Sequence, residues 1–289
     1  MAHLCATFQK EGTTELISSS GGNAGLAVAT VGGRLGLDVS VIVPETTKPL
    51  VIAKLESLGA KVTIHGVNWN AADDLARERV DAKPGGAAKY VSPYDNPLLW
   101  TGHSTLVDEI ANQLEAEAED GQLSPPGAIV VSVGGGGLLC GVLEGCARRK
   151  MSSTTVIASE TDGASCFKQS WEAEDGKPVT LAGIDSVATS LGATSCTPVA
   201  LERARSHDGG FDATTCTDRE AVDACVRFAR DHRMLVEPAC GAALAVAYSE
   251  RLREKYLVGV DGPIVIEVCG GSGVDIDLMH AWKNEFLSP

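Results

Sequence analysis

The sequence predicts an α/β protein of two domains, each a twisted, mainly parallel sheet (with a mixed edge) covered by helices. Three observations carry this. Short β-rich runs alternate with longer stretches of helical pattern. Several of the short runs are apolar at consecutive positions, as strands covered on both faces require. Glycine clusters stand where those runs end and a helix begins, and 32 glycines is a high count for 289 residues.

In chain order, Leu16–Ser19 reads as a strand that stops at "SSGGN", and Asn23–Leu35 as the helix that follows. Val39–Pro44 and Lys61–Gly66 are β-branched runs ending at proline or glycine, with a helix over Thr47–Leu58 between them and another over Trp69–Val80. Lys89–Pro93 is the next strand and Thr101–Leu114 the next helix. The acidic, then proline-rich stretch Glu115–Gly127 reads as that helix running out into a solvated loop. Beyond it, Ala128–Val133 is a strand, Leu138–Lys150 a helix and Thr155–Glu160 a strand. Helices over Pro198–His207, Asp218–His232 and Ala242–Lys255 follow, then a strand at Ile264–Cys269 and a last helix near Asp277–Leu287. A boundary near residue 100 divides the chain into a small domain, 1–100, and a large one, 101–289. Nothing after the last helix reads as an appended regulatory domain.

Composition narrows the function. With 44% hydrophobic and 21% charged residues the chain builds a core and is not disordered. A formal net charge of −14 argues against nucleic acid or an anionic membrane as partner. Nine cysteines show no CxxC pair and no zinc spacing, and fit a reducing compartment. Cys5, Cys140, Cys146, Cys225 and Cys240 read as small buried hydrophobes. No signal peptide opens the chain and no apolar run is long enough to span a membrane. The expected setting is the cytoplasm.

The stretch "AIVVSVGGGGLLCGVLEG" carries the main chemical signal. A strand, a glycine turn and a helix N-terminus form an anion cradle: the first-turn amides are unpaired and glycine lets them approach phosphate oxygens. Gly134, Gly135, Gly136, Gly137 and Leu138 are the candidate phosphate ligands. A turn that merely needs left-handed backbone accounts for one or two glycines, not four. The P-loop pattern fails for want of Gly-Lys-Ser/Thr, and G-x-G-x-x-G fails as well. Glu160, ending the next strand, keeps a nucleotide-binding oxidoreductase open as a second reading, since a ribose-binding acid would sit there. "LISSSGGNAG" prepares another helix N-terminus, with Ser20, Gly21 and Asn23 as candidates for a small carboxylate; N-capping by Ser20 or Asn23 is the plainer account. "MLVEPACGAA" and "PIVIEVCGGSG" repeat the pattern of an apolar run ending in a turn, and all four turns are expected on one carboxyl edge.

Together "SSGGNAG", "SVGGGGLLCGV", "LVEPACGAALA", "VCGGSG" and "SPYDNPLLWTGHSTLVDEI" resemble the serine/threonine dehydratases. These are pyridoxal-phosphate enzymes of the tryptophan-synthase-β fold (fold type II), and the resemblance runs from about Met1 to Pro289. It implies pyridoxal phosphate as cofactor, a small amino acid as substrate and a homodimer. Its activity would be elimination from L-serine, and from L-threonine, to pyruvate or 2-oxobutyrate plus ammonia. By position, Gly134–Leu138 would hold the cofactor phosphate and Asn23 its phenolic oxygen. Ser20, with Gly21 and Asn23, would grip the substrate carboxylate. Cys269 would face the pyridine nitrogen; a thiol there is a poor proton source, leaves the ring a weaker electron sink, and favours elimination over racemisation or transamination. Glu160, with Ala164, Cys166, Leu191 and Ala193, resembles a monovalent-cation (K+) site, in which the family usually has serine where Cys166 stands. The family's Schiff-base lysine lies in a Ser-x-Lys-x-Arg-Gly segment, expected upstream of Met1; neither Lys10 nor Lys168 replaces it. The resemblance thus also admits a catalytically dead binding protein on the same fold.

Overall fold

The computed structural model describes residues 1–118 and 124–288, in two compact units, Met1–Gly102 and His103–Pro289. The first unit contains α1 (Ala2–Lys10), β1 (Glu15–Ser18), α2 (Asn23–Arg34), β2 (Asp38–Val43), α3 (Pro49–Ser57), β3 (Lys61–Ile64), α4 (Trp69–Asp81) and β4 (Ala88–Tyr90); the boundary falls inside α5 (Pro97–Glu117). Its four strands are parallel in the order β3-β2-β1-β4, with Leu16 opposite Val39 and Ile17 opposite Ser40. Side chains alternate between faces along a strand. Leu16, Val39, Val41 and Val43 therefore share a core with Leu4 and Phe8 of α1 and Val28 of α2. Ile17 and Ile42 point the other way, against Ala72 and Ala76 of α4.

The second unit holds β5 (Ala128–Ser132), α6 (Gly137–Arg148), β6 (Thr155–Thr161), α7 (Cys166–Glu172), α8 (Pro198–Arg205), β7 (Phe211–Cys216), α9 (Asp218–His232), α10 (Pro238–Tyr248), α11 (Glu250–Tyr256), β8 (Ile264–Ile266) and α12 (Ile276–Leu287). Its sheet is parallel in the order β7-β6-β5-β8. Every residue of β5 is buried, which its unbroken apolar run anticipates. α10 is apolar around its whole circumference, and Pro238 through Val246 are all buried. Its small residues let neighbours come close: a Cβ on Gly241 would lie 2.3 Å from the Ala221 carbonyl oxygen of α9. α9 opens with a reciprocal capping box, Thr217 with Glu220.

Several expectations need correction. Every pairing between named strands is parallel among the described residues, so no mixed edge is present there. The four turns do not share one sheet edge, because there are two sheets and the Ser20 turn belongs to the first unit's. β7 and α7 were not anticipated. β8 is three residues long rather than six, so Cys269 lies in the loop beyond it. α10 starts at Pro238, four residues before Ala242, and Ser249 (φ −80, ψ 125) separates it from α11. α5 starts at Pro97 rather than Thr101 and ends at Glu117; the loop expected after it lies partly outside the described residues.

Candidate active site

In the second unit the parallel strands bring three loops to one edge. They are the glycine turn after β5, the turn after β6, and residues 267–273 after β8. At the first, Gly136 takes the left-handed conformation (φ 90, ψ 1) and becomes the N-cap of α6. A Cβ there would sit 2.8 Å from the Ala200 Cβ of α8. Gly134 lies against the backbone of Leu191, whose Cα would be 3.2 Å from an added Cβ. The Thr197 amide donates to the Gly135 carbonyl at 2.9 Å, and the Cys166 thiol faces the Gly134 carbonyl at 3.6 Å. Packing within the chain thus accounts for glycine at 134 and 136, more than the single tight turn requires. Gly137 and Leu138 form the first turn of α6, which has neither a side-chain cap nor an acidic residue. An uncapped helix start, reached by backbone alone and free of carboxylates, fits a phosphate.

Glu160 is 1% exposed at the end of β6. Its two oxygens accept from the amides of Phe167 (3.0 Å) and Lys168 (2.6 Å), at the start of α7. Burial pushes its pKa up to about 8, with those amides pulling the other way. The carboxylate therefore anchors a helix, which is not the exposed geometry a ribose-binding acid needs. Ala164, Cys166 and Leu191 are buried, and the Leu191 carbonyl accepts from the Ala193 amide at 2.8 Å. The Cys166 and Cys196 thiols are hydrogen-bonded, which raises the former and lowers the latter to about 7. Of the lysines weighed, Lys168 pairs with Glu172 and Lys10 is an exposed residue ending α1.

The loop after β8 is tied to the start of α10. The Glu237 amide donates to the Gly270 carbonyl at 2.9 Å, and Glu237 Oε1 accepts from the Gly273 amide at 2.5 Å. Glu237 Oε2 accepts from Ser190 Oγ at 2.6 Å, in the segment that also supplies Leu191. Sequence reasoning gave this carboxylate no role; its signal was the Glu-Pro pair that starts α10. Cys269 is exposed and Cys240 buried, and the interaction of the two thiols raises Cys269 and lowers Cys240. Nearby, burial pushes Glu267 up to about 7, and its Oε2 has no hydrogen-bond partner.

In the first unit, the turn after β1 carries Ser20, Gly21 and exposed Asn23. Gly25 is held against the Ser20 carbonyl, which would lie 1.7 Å from an added Cβ, so α2 starts hard against the turn. Ser20 Oγ accepts from the Gly22 amide at 3.2 Å, outside the helix, and no side chain caps α2. The plainer capping account is therefore not realised. A buried network fixes the approach: Ser19 Oγ donates to Asp73 Oδ1 at 2.6 Å, Tyr90 donates to the same oxygen, and Arg77 Nε donates to Oδ2 at 2.8 Å. Burial opposes ionisation of Asp73, but these donors outweigh it and hold its pKa low. This network was not anticipated, because Asp73 lies 54 residues from Ser19.

Comparison with known proteins shows the family. The pyridoxal-phosphate dependent enzyme family matches residues 1–270. An L-serine dehydratase of Saccharomyces cerevisiae is 40% identical over 274 residues, covering 92% of this chain and 79% of the relative. An L-serine dehydratase/L-threonine deaminase of Mus musculus is 39% identical over 98% of this chain and 84% of its own length. The crystal structure of a fungal L-serine ammonia-lyase from Rhizomucor miehei superposes with a TM-score of 0.86, at 31% identity, over 98% of this chain and 86% of that one. The chain belongs to the pyridoxal-phosphate dependent enzymes of fold type II, in the serine dehydratase family.

Proposed function

We propose that this protein eliminates water and then ammonia from L-serine, and from L-threonine, using pyridoxal phosphate. The observation that carries the reading is the uncapped, carboxylate-free start of α6, placed beside the Cys269 loop at one sheet edge. The names of the serine dehydratase relatives support the substrate class. Pyridoxal phosphate, when bound, withdraws electrons from the amino acid's Cα and so weakens its Cα–H bond.

Apart from the Schiff-base lysine, for which neither Lys10 nor Lys168 is placed, the chain's own residues bind and orient these groups. The backbone of Gly134–Leu138 holds the phosphate, with Gly135 kept in place by Thr197. Cys269 offers the pyridine nitrogen only a thiol, which keeps the ring unprotonated and favours loss of the β-hydroxyl over racemisation. Asn23 serves the phenolic oxygen. Ser20 and Gly21, with Asn23, take the substrate carboxylate at the start of α2, where the helix dipole favours an anion. Glu160, with Ala164, Cys166, Leu191 and Ala193, is read as a potassium site. Its support is a deeply buried carboxylate whose charged form is otherwise disfavoured.

The test pairs pyruvate release from L-serine, read through lactate dehydrogenase, with equilibrium dialysis of pyridoxal phosphate. Gly135→Asp sets a carboxylate beside the phosphate, and like charges in contact cost several kcal/mol. The variant should lose cofactor affinity and pyruvate release together. Wild-type affinity in the variant would refute the cradle, and cofactor binding with no pyruvate release would refute the reaction.

A further inference from the structure

Of the nine cysteines, eight are buried and Cys269 alone is exposed. Cys269 precedes Gly270, whose carbonyl accepts from the Glu237 amide at 2.9 Å, and Cys240 lies three residues after Glu237. Cys240 is the third residue of α10, where first-turn amides point outward and favour a negative charge on sulfur. The two segments are held together by the Glu237–Gly270 backbone bond and the Gly273–Glu237 bond. Gly270 (φ 77) and Gly271 (φ 116) follow Cys269, and Gly271 packs on the Glu237 side chain, whose Cδ would lie 2.2 Å from an added Cβ. An exposed thiol and a buried one thus lie on two segments that backbone and carboxylate bonds hold together, the buried one at a helix start.

We propose that Cys269 and Cys240 are a peroxide-sensitive pair that closes to an intramolecular disulfide. Hydrogen peroxide is the oxidant. The Cys269 sulfur attacks it, breaks the O–O bond and becomes a sulfenic acid, releasing one water. The Cys240 sulfur then attacks the Cys269 sulfur and displaces hydroxide, which leaves as a second water with the Cys240 proton. Two thiols lose two hydrogens in all, and one peroxide becomes two waters. The interaction between the two thiols lowers Cys240 and raises Cys269, so it is exposure rather than acidity that makes Cys269 the first to meet peroxide. Under the cofactor reading above, closure removes the thiol from beside the pyridine nitrogen; the disulfide itself does not rest on that reading.

The sequence makes the experiment clean. Trypsin leaves Cys240 as the sole cysteine of residues 234–251 and Cys269 as the sole cysteine of residues 256–283. The full chain is treated with hydrogen peroxide, quenched by alkylation and mapped without reduction. The expected result is a linked 234–251/256–283 pair that disappears with dithiothreitol and is absent from Cys240→Ala and Cys269→Ser. In Cys240→Ala, dimedone should capture sulfenic acid at Cys269 several-fold more than in wild type, because the second thiol is gone. The proposal falls if wild-type Cys269 accumulates as the dimedone adduct or sulfinic acid without the link. It falls equally if Cys269 pairs with a different cysteine, or if buried cysteines oxidise as fast as Cys269. Repeating the reaction with pyridoxal phosphate separates the two claims: protection of Cys269 bears on the cofactor reading, while the link alone decides the disulfide.

Discussion

Gly136→Ala tests the turn on which the proposed cradle is built. The substitution places a Cβ on left-handed backbone (φ 90) and 2.8 Å from the Ala200 Cβ. Left-handed backbone costs an ordinary residue roughly 1–2 kcal/mol, offset by about 0.4–1 kcal/mol from the stiffer unfolded chain. The crowding adds roughly 1–3 kcal/mol, the usual range for overpacking by a small group. Gly259→Ala isolates the first part, because Gly259 has φ 83 and nothing within 4 Å of its added Cβ. The expected losses are about 3 kcal/mol for Gly136→Ala and roughly 0–1.6 kcal/mol for Gly259→Ala, by the same sums. For a unit of this size the larger loss lowers Tm by on the order of 10 °C. Urea and thermal unfolding followed by circular dichroism measure both. Ala200→Gly in the Gly136→Ala background removes the clashing carbon and should restore most of the crowding part, a positive coupling between the two sites. Equal losses at 136 and 259, or no coupling to Ala200, would refute the packing argument.

Three more outcomes follow from buried or bridging carboxylates. Asp73→Asn leaves Ser19, Tyr90 and Arg77 competing for a weaker acceptor and should cost about 1–3 kcal/mol at neutral pH. Because the folded pKa of Asp73 lies below the unfolded one, its stabilisation is present above the unfolded value and lost as acid drives pH through the folded one. The variant's urea midpoint should vary less over that acid range. Glu220 is held down to about 2; burial opposes this, but Arg251, Thr217 and Ser249 outweigh it. Stability from Glu220 is therefore lost between about pH 5 and pH 2, and Glu220→Gln, with this partly exposed pair discounted for solvent, should lose about 1 kcal/mol in urea titrations at pH 7. Glu160 has the opposite sign: with a folded pKa of about 8, the folded state holds a proton that the unfolded chain releases, so stability falls as pH rises from about 4 toward 8. Glu160→Gln should flatten that slope, and a Tm increase on adding potassium should appear in wild type and vanish in the variant.

The parts of the fold legible in sequence are those whose signal is local. Ala128–Val133 and Thr155–Glu160 are buried on both faces and say so by being apolar at consecutive positions. β7 escapes notice because it is an edge strand, paired only with β6, and "FDATTC" mixes polar and apolar side chains. α7 is seven residues long, and the carboxylate that holds its first amides comes from Glu160, outside the helix sequence altogether. Ser249 divides α10 from α11 while its hydroxyl donates to Glu220 of α9, a tertiary contact no window of sequence contains. Pro238 at the first position of α10 is a readable helix start, masked by Gly241 three residues on.

The glycine turn shows where sequence evidence changes meaning once the structure is known. Four consecutive glycines suggest that a ligand needs the space. Yet Gly136 faces Ala200 and Gly134 faces Leu191, each more than 50 residues away, and both contacts exclude a side chain with no ligand involved. Counting glycines therefore overstates the case for a phosphate. The stronger warrant is where the helix starts: α6 opens at the carboxyl edge of the parallel sheet with no side-chain cap and no acidic residue, and because α1, α3 and α8 are uncapped too, the missing cap counts only together with that position. A helix start stripped of its own cap, at the carboxyl edge of a parallel sheet, leaves its first amides to an outside anion. The packing glycines then have a separate task, which is to hold that start still by seating it against α8 and Leu191.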